Sequence, residues 1–212
     1  LAAAQKKAGR IAAEGMAYAA VVDGIGVIVE VNAESDFVAK NDLFVDYVKG
    51  VAAVVAKEDP KDLEALMAAP YGNGRTVEQE RQEMVLVIGE NIKVRRFARY
   101  DTGLNVPYVH MGGRIAVLVN LETESTDAAV VELGKDIAMI HFKDFLRKDA
   151  GGQLAATGVQ SISTTPGSGV TIFAPIPSRI LIRIRTSEIL GTFSIRHLPL
   201  TSRAAGRIAT AA

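Results

Sequence analysis

The sequence has no cysteine among its 212 residues. This excludes disulfides, thiolate metal sites and cysteine nucleophiles, and it fits a reducing compartment. No apolar run approaches the roughly 20 residues that a membrane-spanning helix needs, and the first residues lack the apolar stretch of a secretory signal. We therefore expect a cytoplasmic protein that does not enter a membrane.

The sequence also has little that points to an enzyme. Its three histidines, His110, His141 and His197, show no metal-ligand spacing. Gly24-Ile25-Gly26 lacks the third glycine and the following helix of a dinucleotide-binding loop, and there is no GxxxxGK[ST] run for phosphate binding. We expect no catalytic residue, no metal site and no cofactor.

The net charge of zero hides an asymmetry along the chain. Residues 1–146 carry 16 Lys and Arg against 22 Asp and Glu, whereas residues 147–212 carry 8 against 2. The first part has only two serines, whereas the second has seven serines and eight threonines. We therefore place a boundary near Leu146 and describe residues 147–212 as a basic, Ser/Thr-rich tail to which no fold is assigned.

The pattern of residues 14–58 predicts a hairpin followed by a helix. Asp23-Gly24 is a turn signal between two apolar stretches, and the second stretch alternates, so one face of this ribbon should be buried. Asn41 is a candidate N-cap. Apolar residues follow it at the spacing of a helical stripe, which should lie on the sheet: Phe44, Tyr47, Val48, Val51 and Val55.

Three more helices and two strands are predicted before the boundary. Asp59-Pro60 begins a short helix through Met67, a capping-box pattern begins a helix over residues 76–88 that ends at Gly89, and Thr126 begins a helix that ends near residue 145. Strands are expected at residues 92–100 and 114–122, joined by a link loosened by Pro107 and Gly112-Gly113. The predicted fold class is α+β, a small antiparallel sheet with helices packed on one face.

The connection between the hairpin and the first helix contains a large aromatic residue, Phe37. Connections between ordered elements carry function more often than the elements do, and a ring at a turn is suited to entering a partner. The alternative is that Phe37 and Val38 fold back to cover the end of the sheet. Spacing alone leaves both interpretations open.

A family resemblance favours the first interpretation of Phe37, a ring that enters a partner. Four segments carry it: Lys6–Gly15, Val31–Asp42, Ile88–Arg96 and Gly113–Val119. Together they resemble the translation elongation factor Ts family, and their order and spacing agree with it. Gly134–Met139 also fits, but residues 140–143 differ from the helix with which the family continues. The resemblance covers about residues 1–139.

The resemblance implies that parts of the family are missing from this chain. These are an N-terminal ubiquitin-associated-like domain, the second half of the core and a coiled-coil protrusion. Leu1 in place of Met indicates a fragment, so residues 1–13 are expected to be a linker from the missing domain and residues 14–146 a core subdomain. We hypothesise that a reading-frame shift or a gene-calling artefact near residues 138–145 makes residues 147–212 an out-of-frame or disordered tail. One uninterrupted frame on resequencing would contradict this.

The resemblance also implies a function, the exchange of guanine nucleotide on elongation factor Tu. The family's Thr-Asp-Phe turn enters the G domain of that partner and displaces the elements that hold magnesium and the nucleotide phosphates. The corresponding residues here are Ser35, Asp36 and Phe37. Phe37 would be the wedge, Asp36 would fix the turn or offer its carboxylate to the partner, and Ser35 keeps the hydroxyl of the family's threonine.

A second contact is implied by the same resemblance, in which a helix of the partner docks on Ile88, Gly89 and His110. Each of these residues has an ordinary alternative role. Ile88 fits the last core position of its helix, Gly89 fits a helix cap, and His110 fits an exposed loop histidine.

Two alternative functions stay open. The chain fits an inactive truncated fragment, and its tail fits a nucleic-acid-binding segment through basic residues: Arg179, Arg183, Arg185, Arg196, Arg203 and Arg207. We consider nucleic-acid binding the weaker alternative, because a tail translated in the wrong reading frame can be basic by chance. The sequence leaves open whether the chain forms a homo-oligomer.

Overall fold

The hairpin predicted at residues 14–32 is present in the computed structural model of the chain. Strands β1 (Glu14–Val22) and β2 (Ile25–Ala33) pair antiparallel, and both turn residues, Asp23 and Gly24, have positive φ. Two-residue turns of this kind match the twist of the strands they join. The structure describes the backbone of residues 6–150, 169–173, 179–182 and 207–210, and the side chains of residues 6–139.

Six further strands complete the described sheets: β3 (Lys93–Tyr100), β4 (Leu104–His110), β5 (Ile115–Leu121), β6 (Gly169–Phe173), β7 (Arg179–Ile182) and β8 (Arg207–Thr210). They form two antiparallel sheets with the orders β1-β2-β3-β8 and β4-β5-β6-β7. β3 and β5 lie within one residue of their predicted bounds, whereas β4 is a strand that the sequence did not predict. It accommodates Pro107 because β4 lies at the edge of its sheet, where a missing N–H costs no ladder bond.

The helices are α1 (Asp42–Glu58), α2 (Leu63–Ala68), α3 (Val77–Ile88) and α4 (Ala128–Ala150). The side-chain oxygen of Asn41 accepts a hydrogen bond from the Leu43 N–H (2.9 Å), as its predicted capping role requires. Thr76 and Gln79 form the predicted capping box, and Gly89 ends α3 with φ 88°. No helix in the described part of the chain has the length and apolar character to cross a bilayer.

Two helices have boundaries that differ from the expected ones. α2 begins after Asp62, whose carboxylate accepts a hydrogen bond from the Ala65 N–H (2.8 Å), while Asp59 instead ends α1 in a left-handed conformation. α4 begins two residues after Thr126 and continues to Ala150, beyond the expected end near residue 145. The start of α2 follows from which of two nearby aspartates satisfies the helix terminus.

The main core lies between α1 and the outer face of the first sheet. The predicted stripe of α1 is buried there, and Val27, Val29 and Val31 of β2 meet it from the sheet. A second core lies on the outer face of the second sheet, where Val117, Val119 and Leu121 cluster with two residues of α4, Ile137 and Ala138. Each sheet therefore carries a helix on its outer side.

The inner faces of the two sheets pack against each other. Ala17, Ala19 and Ala98 of the first sheet cluster with Ala116 of the second, together with Ile28, Tyr100 and Leu118. The contact consists largely of small side chains. Because the second sheet covers its inner face, β2 is buried on both faces rather than on the single face that the sequence predicted. The α+β class is confirmed, with the difference that the strands form two packed sheets.

A buried ion pair lies on the inner face of the first sheet. The Glu30 carboxylate contacts the Arg96 guanidinium from the neighbouring strand, and the two side chains are 0% and 1% exposed. The carboxylate also accepts hydrogen bonds from Arg95 (3.2 Å) and Asn32 (3.4 Å). These bonds matter because a buried charge is tolerated only when it is paired and hydrogen-bonded.

The hydroxyl of Tyr47 in α1 is buried and has no hydrogen-bond partner among the described residues. Burial raises the pKa of this hydroxyl well above its usual value. We expect Tyr47→Phe to raise the free energy of unfolding by about 1 kcal/mol, because it removes an unsatisfied buried group and keeps the ring. Urea unfolding measures the change.

Tyr71 provides the matched control for this substitution. Its ring stacks on that of Tyr47 with centroids 5.8 Å apart, and its hydroxyl donates to the backbone oxygens of Asp46 (3.4 Å) and Tyr47 (3.3 Å). Tyr71→Phe should therefore lower stability slightly. A loss of stability in Tyr47→Phe as well would contradict our reading of the buried hydroxyl.

Candidate partner-binding site

The turn Ser35-Asp36-Phe37 connects the end of β2 to a short 3-10 turn, Val38–Lys40, that precedes α1. Val38 is buried at 6% exposure and belongs to the main core, whereas the Phe37 ring is 79% exposed. One side chain therefore anchors the connection, and its neighbour in sequence displays an aromatic ring to the outside. An exposed ring on an anchored backbone is suited to a complementary pocket.

The Phe37 turn is held by the connection between α3 and β3. The Glu90 carboxylate accepts hydrogen bonds from both the Ser35 N–H (2.9 Å) and the Ser35 hydroxyl (2.6 Å). In the opposite direction, the Glu34 carboxylate accepts a hydrogen bond from the Asn91 N–H (2.6 Å). The two segments are thus joined by reciprocal bonds across more than 50 positions of the chain.

Asp36 has an accessible carboxylate at the rim of a small recess. The nearest cation is the Arg114 guanidinium at 3.8 Å, and the two side chains are 44% and 56% exposed. An ion pair this exposed adds little stability, so the Asp36 carboxylate is free to exchange Arg114 for another cation or donor. The recess has a volume of about 110 Å³, and Lys40, Met111 and Gly112 also line it.

Ile88 and Gly89 lie at the C-terminus of α3. Ile88 is half-buried and packs against the main core, and Gly89 adopts the left-handed cap that its position requires, with its N–H donating to Val85 O (3.1 Å). The Lys7 ammonium donates to Gly89 O (2.7 Å), which places a cation at the negative end of the helix. The last turn also displays two apolar side chains, Leu86 and Val87, to the outside.

His110 is the last residue of β4 and is half-buried. Its Nδ1 lies 2.8 Å from the Tyr108 hydroxyl, and the two rings stack with centroids 5.9 Å apart. The hydrogen bond and the stacking together fix the imidazole as a flat surface. Met111, which follows, has positive φ and is 63% exposed.

The fold brings the predicted segments together around the Phe37 turn. Ser35 meets Glu90, the residue directly after Gly89, and Asp36 shares its recess with Met111, the residue directly after His110. Sequence reasoning did not single out Glu90 or Met111. Glu90 lay inside the specific segment Ile88–Arg96, but nothing in its spacing signalled a contact with Ser35.

The site displays groups that are suited to binding a protein. In the part of the chain that the structure describes, no group of three or more carboxylates and histidines is placed to bind a metal ion. The features displayed are an aromatic ring, an accessible carboxylate and a helix terminus. Such a mixture of an apolar anchor with polar neighbours is typical of an interface.

Comparison with known proteins identifies the family. The family model described as Elongation factor TS matches residues 34–141. The chain is 49% identical to elongation factor Ts of Syntrophotalea carbinolica over 143 residues, 46% identical to that of Trichlorobacter lovleyi over 149, and 44% identical to that of Clostridioides difficile over 142.

These alignments cover 66% of this chain in each case, and 47%, 48% and 47% of the respective relatives. The chain thus spans about half the length of the curated relatives it matches. The family match begins just before Ser35 and includes every residue that the sequence analysis singled out for partner binding. The chain belongs to the elongation factor Ts family of translation elongation factors.

Proposed function

We propose that this chain is a guanine nucleotide exchange factor that promotes release of GDP from elongation factor Tu. The observation that carries the proposal is the Phe37 ring, which is 79% exposed at the tip of a turn anchored by Val38 and Glu90. When the Phe37 ring is buried in the partner, it forms a large apolar contact, and its side chain loses little conformational entropy. Phe37 is therefore assigned as the wedge.

The proposed mechanism is a competition between the chain and the nucleotide. A factor that binds the nucleotide-free partner more tightly than the GDP-bound one must, by reciprocity, weaken GDP binding by the same factor. Phe37 displaces the partner elements that hold magnesium and phosphate, and the accessible Asp36 carboxylate meets partner donors near that site. Exchange of this kind makes and breaks no covalent bond, so the chain acts as a binding protein. We place it in the cytoplasm.

We assign the second contact to Ile88, Gly89 and His110. The cap at Gly89 lets a partner helix approach the backbone closely, because no Cβ stands there. The fixed His110 ring gives a flat surface beside the recess. We place this unit in residues 14–146, with residues 1–13 as a linker. The side chains of the basic tail, including the six arginines considered for nucleic-acid binding, lie outside the described residues.

Release of labelled GDP from purified elongation factor Tu tests the proposal. We expect the chain to accelerate release in a saturable manner and to weaken GDP affinity by at least about 5-fold, the low end of typical coupling between two ligands. The low end is expected because the chain spans about half of its relatives. If a saturating concentration of folded chain leaves the rate of GDP release unchanged, the proposal is refuted. The chain is then best interpreted as an inactive fragment.

A further inference from the structure

The Phe37 turn receives two hydrogen-bond contacts from one side chain outside its own segment, that of Glu90. Ser35 presents two donors, its backbone N–H and its hydroxyl, and Glu90 accepts both, one with each carboxylate oxygen, at 2.9 and 2.6 Å. Hydrogen bonds to an ionised acceptor are about twice as strong as neutral ones. The turn is therefore fixed at Ser35 by Glu90 and at Val38 by the core, with Phe37 between the two anchors.

Glu90 is itself held in place on both sides. The preceding residue, Gly89, receives the Lys7 ammonium at 2.7 Å on its carbonyl oxygen. The following residue, Asn91, donates its N–H to Glu34 at 2.6 Å and its side-chain amide to the Arg10 carbonyl oxygen at 2.7 Å. The backbone that carries Glu90 is therefore fixed at both neighbours, which reduces the conformational freedom that must be lost when its carboxylate binds Ser35.

We propose that Glu90 is a positioning residue that holds the Phe37 turn in its binding-competent form before the partner arrives. The inference rests on the exchange function proposed above and adds a residue to it. A turn ordered in advance does not have to be ordered on binding, and the apparent affinity of a chain falls in proportion to the fraction that is competent. Glu90 thus determines the concentration of chain needed for GDP release, while Phe37 determines how strongly the bound chain accelerates that release.

This division of roles predicts a kinetic split. Removing the Glu90 carboxylate should raise the concentration of chain that gives half-maximal GDP release and leave the rate at saturation unchanged. Glu90→Ala is expected to raise that concentration by at least about ten-fold, because it removes both charge-assisted hydrogen bonds to Ser35 and the loss of one such bond is worth about that factor. A loss of folded chain would raise the same concentration, so the kinetic split is interpreted together with amide hydrogen exchange, which separates a loosened turn from an unfolded chain.

Glu90→Gln is the conservative variant. The amide oxygen can still accept from the Ser35 N–H, and the amide nitrogen can donate to the Ser35 hydroxyl, which turns to accept. The geometry of the turn is kept although the charge is lost. We expect Glu90→Gln to recover most of the loss seen in Glu90→Ala.

Amide hydrogen exchange of the free chain tests the same inference without the partner. In Glu90→Ala, the Ser35 amide, whose N–H loses its acceptor, should exchange at least about ten-fold faster, while the amides of β2 and β3 stay protected. In Glu90→Gln, the turn should keep its protection. If the wild-type chain leaves GDP release unchanged, the proposed function fails, and the exchange pattern alone decides whether Glu90 orders the turn.

Two results would overturn the inference. One is a Glu90→Ala chain with unchanged turn protection and an unchanged half-maximal concentration. The other is equal loss of protection throughout β2 and β3 in both Glu90 variants, which assigns the residue to the fold alone. If Glu90→Ala does not fold, Ser35→Ala replaces it, since that variant removes only the hydroxyl donor and should loosen the turn by a smaller factor.

Discussion

Replacing Glu30 by alanine is expected to lower the free energy of unfolding by about 3–5 kcal/mol, because Arg96 then stays buried without its carboxylate. Both side chains are inaccessible to solvent, so water cannot take over the lost interaction. A loss of this size is a large part of the roughly 5–15 kcal/mol that stabilises a typical domain. Urea unfolding followed by circular dichroism measures it.

Two control variants separate the buried charge from the other contacts. Arg95 also bonds Glu30 but is 32% exposed, so Arg95→Ala should cost less than about 1 kcal/mol. The double variant Glu30→Leu with Arg96→Leu removes both charges and should recover most of the lost stability, since apolar side chains often replace a buried pair without cost. A double variant as unstable as Glu30→Ala would contradict this account.

Phe37→Ala is expected to fold like the wild type and to lose the acceleration of GDP release. The ring is 79% exposed, so its removal costs few internal contacts. In the partner it would be a hot spot, and a loss of about 2 kcal/mol there corresponds to roughly 30-fold weaker binding to nucleotide-free elongation factor Tu. The measurements are labelled-GDP release, affinity for the nucleotide-free partner and the unfolding midpoint.

Val21→Ala is the matched control for Phe37→Ala. Val21 is also an exposed apolar residue, but it pairs with Gly26 near the turn end of the hairpin. The seven residue steps from Gly26 to Ala33 place it more than about 20 Å from the Phe37 turn. Val21→Ala should change neither binding nor release, and equal release by Phe37→Ala and the wild type, above the spontaneous rate, would reject the wedge role.

Local patterns predicted the local elements well. The stripe after Asn41 gave α1, Asp23-Gly24 gave the hairpin, and Thr76 with Gln79 gave the start of α3. Each of these signals acts within a few residues, so the sequence holds both partners of the interaction side by side. The start of α2 was misplaced because Asp59 and Asp62 are both capable caps, and only packing selects between them.

The pairing of two sheets was not visible in the sequence for a physical reason. The inner faces meet largely through alanines, which carry too little apolar area to distinguish a buried face from an exposed one. Glu30 and Arg96 add to the difficulty, since charged residues in a strand usually mark a solvent-facing side. Only the register of β2 against β3 shows that these two charges neutralise each other in the interior.

The candidate site was predictable in its residues but not in its construction. The family resemblance supplied Ser35, Asp36 and Phe37, whereas spacing alone could not distinguish a displayed ring from a buried one. The bonds from Ser35 to Glu90 join residues 55 positions apart, and contacts this distant are set by the packing of β2 and β3 rather than by local pattern. The second contact residues stay a prediction drawn from the resemblance.

The alternation between Phe37 and Val38 has a consequence for how this connection can vary. Because Val38 is fixed in the interior and Phe37 precedes it directly, the number of residues between Ala33 and Val38 decides which side chain is displayed. Inserting one residue would shift Phe37 into the interior position, and deleting one would shift Val38 out of it. The connection should therefore tolerate changes of amino-acid type far better than changes of length.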